Sequence, residues 1–235
     1  MKKMLIASTS TVHGSDYLEY LFEPLKTFYK DVNHILFIPY ARPGGLSHDD
    51  YTIKVRRAFQ RIDKMVTGIH SYESPIQAIQ NAEAIFVGGG NTFVLVKQLY
   101  KKNLMSELGD AISKGTPYLG TSAGSNICGL TMHTTNDMPI VLTPSYRTLG
   151  SIPFNINPHY LDPDTKSTHQ GESRETRIQE FHVYNSQPVV GLRERSWLEV
   201  NGGSIVLKGG LSARIFERGK AAYEVDSGTE LNILN

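Results

Sequence analysis

The sequence predicts a layered α/β fold: a doubly wound, mostly parallel sheet with an antiparallel strand extension toward the C-terminus. Three observations carry this prediction. From Lys3 to Gly129, short apolar runs alternate with amphipathic stretches, the pattern of strands joined through helical crossovers. Two of those runs lead directly into glycine-rich turns, Val87-Gly-Gly-Gly-Asn-Thr92 and Gly120-Thr-Ser-Ala-Gly124. Beyond Asp137 the helical period fades, and strand-like runs dominate at 188–192, 197–200, 204–207 and 213–216.

The elements follow in order. Lys3–Ser8 is the first strand, and an amphipathic helix is expected from about Ser15 to Lys30. His34 to Ile38 is a buried strand stopped by Pro39, which cannot continue a hydrogen-bonded ladder. Asp49–Lys64 places Ile53, Ala58, Phe59 and Ile62 on one helical stripe, and Met65–Ile69 is a third strand. Ser74-Pro75 opens a helix, with serine as cap and proline in the first turn. Ala84–Val87 and Thr116–Gly120 are the strands that meet the two glycine turns, with helices over 93–102 and 105–114 between them. Asn201-Gly202-Gly203 joins two late strands as a hairpin. A single α/β domain spanning residues 1–235 accounts for the whole pattern.

Composition narrows the chemistry. Lys and Arg number 24 against 23 Asp and Glu, so no global positive field is available to hold a nucleic-acid backbone. Cys128 is the only cysteine, which excludes an internal disulfide and a cysteine-based zinc cluster. The first apolar run, Met4 to Ala7, is too short for a membrane span or a signal-peptide core, and a cytoplasmic protein is expected. No His-x-x-x-His pair is present, and Asp162 and Asp164 after His159 make a weak case for a metal. No metal or organic cofactor is called for.

The two turns carry the site. The triple glycine lacks the Lys-Ser/Thr of a phosphate loop and the spacing of a dinucleotide turn. It lets bare N–H groups approach an anion or oxyanion, although a plain strand-to-helix turn would look the same. Gly120-Thr-Ser-Ala-Gly124 has the G-x-S-x-G form of a nucleophile elbow, with Ser122 raised above the sheet and the Ala123 N–H beside a reacting carbonyl. A serine needs a base and an orienting acid. Among eight histidines, His159 stands apart because Pro158 fixes the approach of its chain, while Asp137 and Glu194 are both candidate acids. The order Ser122, Asp137, His159 matches the α/β-hydrolases, but triads are defined by geometry, and the acid stays open. Cys128, six residues after Ser122, reads as a small core side chain.

With these residues assembled, the chain resembles the peptidase E (α-aspartyl dipeptidase) family of serine peptidases. The segments that carry the resemblance are 84–93, 120–124, 134–140, Ile156-Asn-Pro-His159 and Gly171-Glu-Ser-Arg-Glu-Thr-Arg-Ile178. It implies a fold like that of class I glutamine amidotransferases, with serine in place of the elbow cysteine. It also implies hydrolysis of dipeptides with an N-terminal aspartate, the substrate being a small peptide and the protein a monomer or homodimer. Carried over, the nucleophile falls on Ser122, the base on His159 and the oxyanion donors on the N–H groups of Gly90 and Ala123. The resemblance favours Glu194 as the partner of His159 and Asp137 as a site residue, but Arg193 and Arg195 flank Glu194 unusually; they would either pair with it, holding it ionised and weakening it as an orienter, or point to solvent. Arg174 and Arg177 are candidates for the substrate's side-chain carboxylate, and Glu175 or Asp137 for its amine. The alternatives are a cyanophycinase-like hydrolase of aspartyl–arginine units and a silent anion-binding module.

Overall fold

The computed structural model describes residues 1–163, 168, 171–232 and 234. Five parallel strands form its centre: β1 (Lys3–Ala7), β2 (His34–Ile38), β3 (Met65–Gly68), β4 (Ile85–Val87) and β5 (Tyr118–Thr121). β8 (Ser196–Asn201) pairs antiparallel with β1, and β9 (Ser204–Gly209) antiparallel with β8, giving the order β3-β2-β4-β5-β1-β8-β9. β4 and β5 are neighbours, so the two glycine turns leave adjacent strand ends.

Both faces of this sheet are covered, which is why β1, β2, β4 and β5 are apolar almost throughout rather than alternating. One face packs Phe37, Phe86 and Leu119 against α1 (Phe22–Phe28) and α2 (His48–Gln60). The other packs Ile38, Val87 and Tyr118 against α3 (Pro75–Gln80), α4 (Thr92–Lys101), α5 (Leu104–Lys114) and the short α6 (Ala123–Asn126). Caps set the helix starts: Ser47 accepts from the Asp50 N–H, Ser74 precedes Pro75, and Asn91 accepts from the Val94 N–H.

The expected helix over 15–30 is shorter than its pattern. Leu18 takes a left-handed conformation (φ 60°), a three-residue 3-10 turn follows, and α1 begins at Phe22 so that Pro24 falls in its first turn. The C-terminal strands divide between two sheets. β8 and β9 extend the main one, whereas β7 (Val189–Leu192), β10 (Ala213–Phe216) and β11 (Tyr223–Val225) join β6 (Asn155–Pro158) in a second sheet of order β11-β10-β7-β6. β6 is not among the strand-like runs of the sequence, because Asn-Ile-Asn-Pro has poor strand propensity. Its asparagines bond to the neighbouring loop instead: Asn155 Oδ1 accepts from the Thr131 N–H and Asn157 Nδ2 donates to the Thr134 carbonyl. β6 and β7 are parallel, so their C-terminal ends deliver His159 and Glu194 side by side. α7 (Arg174–Tyr184), capped by Ser173, lies between β6 and β7 in the chain. No helix among the described residues is long and apolar enough to cross a membrane.

Candidate active site

Ser122 occupies a sharp turn between β5 and α6, at φ 55° and ψ −111°. A non-glycine residue held there stores on the order of 1–3 kcal/mol of strain, which the surrounding backbone must impose. The small neighbours do so. A Cβ on Gly120 would lie 2.5 Å from the Gly124 carbonyl oxygen, and one on Gly124 would collide with the Val87 carbonyl. Strand, turn and elbow helix therefore touch backbone to backbone.

The triple-glycine turn abuts this elbow. A Cβ on Gly89 would sit 3.0 Å from Ser122 Cβ, and one on Gly90, whose φ is +146°, would strike the Ala41 carbonyl. The Ala41 carbonyl also accepts the Asn91 N–H at 2.7 Å, pinning the turn from β2's side. Among the described residues the N–H groups of Gly90 and Ala123 have no acceptor, so both remain available to an oxyanion.

His159 follows β6 in a left-handed conformation (φ 54°). Its Nε2 lies 2.8 Å from Ser122 Oγ and its Nδ1 lies 2.7 Å from Glu194 Oε1. An ionised carboxylate only accepts, so Nδ1 carries the proton, Nε2 of the neutral ring is the acceptor, and Ser122 donates to it. Ring and carboxylate remain partly open to solvent, at 34% and 42% side-chain exposure, so a substrate can reach the pair.

Asp137 stands apart from this chain of hydrogen bonds. Its Oδ2 accepts from the Thr92 N–H at 2.7 Å, the Thr92 hydroxyl at 2.6 Å and the Thr135 hydroxyl at 3.1 Å. It thus tethers the 134–139 loop to the N-terminus of α4, where a carboxylate is favoured by the helix dipole. Its Oδ1 has no partner among the described residues.

The flanking arginines leave Glu194 alone. Arg193 forks onto Asp162 (2.9 and 2.7 Å) and onto Glu224 (2.8 and 3.0 Å), and also donates to Ser212. The Arg193 bonds to Glu224, with those from Ser212 and Arg214, hold the Glu224 carboxyl down at about 2. Arg195 is exposed and has no carboxylate partner among the described residues. Of the residues in the 172–177 segment, Glu175 is taken by Arg214 at 3.0 Å and the exposed Arg177 meets Glu172 at only 3.9 Å. Arg174 is half-buried, and among the described residues it has neither an ion pair nor a hydrogen bond from its side chain. Burial and then the nearby Arg177 charge lower its pKa, while Asp137 acts in the opposite direction.

Ser8 is a site residue that the sequence reading missed. Fully buried after β1, it donates to the Leu192 carbonyl at 2.7 Å and accepts the His159 N–H at 2.8 Å. One hydroxyl thus joins the first strand to the segments bearing His159 and Glu194. Its position at the C-terminal end of the first strand was the available signal. Cys128 is buried on the other side of the elbow, its S–H donating to the Gly124 carbonyl at 3.3 Å and its pKa pushed up by desolvation. Among the described residues no group of three His, Cys, Asp or Glu side chains is placed to hold a metal ion; Asp164 and His169 lie outside those residues.

An elbow serine, a histidine and a carboxylate at the strand ends of an α/β sheet define a hydrolase-type site. The comparisons with known proteins name the class more closely. A model of peptidase family S51 matches residues 4–208, and the chain belongs to that family of peptidases. It is 46% identical over 231 residues to a protein of Streptomyces coelicolor named Peptidase E, covering 98% of this chain and 94% of that one. A Drosophila melanogaster protein named probable alpha-aspartyl dipeptidase is 43% identical, over 97% of this chain and 92% of its own. Among solved structures, a peptidase from an acI-B1 actinobacterium superposes with a TM-score of 0.74 at 15% identity, covering 98% of this chain and 96% of its own. A putative peptidase E from Listeria monocytogenes gives 0.68 at 20% identity, over 89% of this chain and 98% of its own; both share the fold.

Proposed function

We propose that this peptidase hydrolyses dipeptides with an N-terminal aspartate through an acyl-enzyme on Ser122. The observation that carries the mechanism is the unbroken chain from Ser122 Oγ through His159 to Glu194, at 2.8 and 2.7 Å. The names given to the Streptomyces and Drosophila relatives supply the substrate class.

His159 Nε2 takes the Ser122 proton as Oγ attacks the peptide carbonyl, and Glu194 stabilises the imidazolium and fixes its tautomer. The N–H groups of Gly90 and Ala123 receive the oxyanion, each worth about 3 kcal/mol at the transition state. The imidazolium then protonates the leaving amine, the C–N bond breaks, and water activated by His159 releases aspartate from Ser122. Arg174 binds the side-chain carboxylate, because a half-buried guanidinium without an anion among the described residues is poised to take one. Asp137 Oδ1 accepts the free α-ammonium group, since Glu175 is committed to Arg214. The setting is the cytoplasm, in keeping with a single, buried and unpaired cysteine.

The test is hydrolysis of Asp-Leu, Glu-Leu, Asn-Leu and Ala-Leu with EDTA present. Turnover confined to Asp-Leu and indifferent to EDTA is expected. Equal turnover of Asn-Leu would refute the carboxylate role of Arg174, and loss of activity with EDTA would refute the metal-free serine mechanism.

A further inference from the structure

Among the described residues, two arginines are half-buried and yet have no carboxylate or carbonyl on the guanidinium: Arg174 and Arg42. Every other described arginine that is partly sheltered, Arg193 and Arg214, is held by acids. Arg42 Nε is fully shielded from solvent and has no acceptor among the described residues, which is unfavourable for a permanent cation unless an anion arrives. Its Cζ lies 4.6 Å from the centre of the Tyr51 ring, a cation–π contact that leaves its N–H groups without an acceptor among the described residues.

The surroundings place Arg42 at the site. Ala41, its neighbour, packs against Gly90 and accepts the Asn91 N–H. Tyr51 donates to the Gly89 carbonyl at 3.2 Å, and a Cβ on Gly89 would lie 3.5 Å from Ser122 Oγ. The glycine turn is thus sandwiched between Tyr51, on which Arg42 stacks, and Ser122. Arg42 stands on the flank of the sheet covered by α1 and α2, where Tyr51 belongs to the core. Arg174 senses Asp137, which is bound at the start of α4 on the opposite flank. One waiting guanidinium thus stands by the glycine turn through Tyr51, and the other is near enough to Asp137 to feel its charge.

An Asp-Xaa dipeptide carries two carboxylates, one on the aspartyl side chain and one at the C-terminus, two bonds beyond the scissile nitrogen. Resting on the dipeptidase reading above, we infer that Arg42 binds the C-terminal carboxylate of the substrate and so restricts the enzyme to dipeptides. A longer peptide has a neutral amide where that carboxylate would be, and leaves the Arg42 guanidinium unpaired. An amide in place of a paired anion forfeits the charge-assisted bonds and keeps the desolvation cost, the asymmetry that gives strong discrimination.

The test compares Asp-Leu with Asp-Leu amide, and Ala-Leu with Ala-Leu amide, for wild type, Arg42→Met and Arg42→Lys. Wild type is expected to prefer the free acid by about 30-fold in kcat/KM, the effect of one charge-assisted contact. Arg42→Met should lower Asp-Leu turnover by about that factor, change the amide less than about threefold, and so erase the preference. Arg42→Lys, which keeps the charge without the fork, should retain part of it and carries the test if the methionine variant does not fold. An equal fall on acid and amide, or a wild type indifferent to the terminal carboxylate, would overturn the inference. The ratio is read within each first residue, so turnover of Ala-Leu in place of Asp-Leu would refute the aspartyl reading and still decide Arg42.

Discussion

Glu194 Oε1 lies 2.7 Å from His159 Nδ1, although Glu194 is preceded by an arginine that would neutralise it if it turned the same way. Arg193 turns instead to Asp162 and Glu224, so two acids keep the cation away from the one that orients His159. Glu194→Gln should therefore lower kcat by roughly 10²–10⁴, with KM within a few-fold, because the tautomer and the imidazolium lose their support. Asp137→Asn should act mainly on KM for Asp-Leu. Steady-state kinetics of the two variants side by side checks the assignment, and a larger kcat loss in Asp137→Asn would reverse it.

Arg193 also joins the loop after His159 to the end of β7 through Asp162. Arg193→Met should cost activity in an otherwise wild-type protein but very little in a Glu194→Gln background, since its influence runs through Glu194. A double-mutant cycle on kcat reads the coupling directly. Additive losses would assign Arg193 a general stabilising role instead.

The same cluster predicts a pH dependence of stability. Arg193 and, less strongly, Ser212 and Arg214 depress the Glu224 carboxyl from 4.5 to about 2. A carboxyl depressed on folding adds stability above its unfolded value and loses it as the pH falls toward the folded one. Wild type and Glu224→Gln should thus differ most in urea midpoint above pH 4.5 and converge near pH 2. Its 40% side-chain exposure keeps the difference modest through solvent screening. A gap that widens on acidification would contradict this sign.

Ser8→Ala removes one buried hydroxyl and leaves the His159 N–H unmatched, while the Leu192 carbonyl keeps only the Tyr160 N–H. The expected cost is about 1–3 kcal/mol of stability, with a kcat loss on the order of tenfold as His159 loses its anchor. Thermal unfolding and kcat for Asp-Leu measure the two effects separately. Unchanged kcat would confine Ser8 to a structural role.

Gly124→Ala should be the most damaging single methyl at the elbow, because its Cβ meets the Val87 carbonyl and neither backbone can retreat. A loss of about 3 kcal/mol or more is expected, against less than about 1 for alanine at Gly203, where a Cβ meets open space. Denaturant titration of the two variants checks it.

Much of this was legible in the sequence, for physical reasons that differ by residue. The parallel strands are legible because burial on both faces makes them continuous apolar runs, and the elbow because its glycines are sterically obligatory. β6 was not, since its asparagines satisfy loop backbone that becomes adjacent only after folding. The choice between Glu194 and Asp137 has the same character, as both are acids near turns and only the parallel register of β6 with β7 selects one. Ser8 escaped notice because its partners, Leu192 and His159, lie 184 and 151 residues away, and Arg42 because only the folded chain sets Tyr51, on which it rests, against the Gly89 carbonyl.

In the proposed reaction aspartate is transferred to Ser122 before water releases it. Rapid acid quench of wild type during turnover of an aspartyl ester, followed by intact and peptide mass analysis, tests it most directly. A transient gain of one aspartyl group on the peptide containing Ser122 is expected, absent in Ser122→Ala, which should also be inactive on Asp-Leu. Turnover by Ser122→Ala, or an adduct on any other residue, would contradict it.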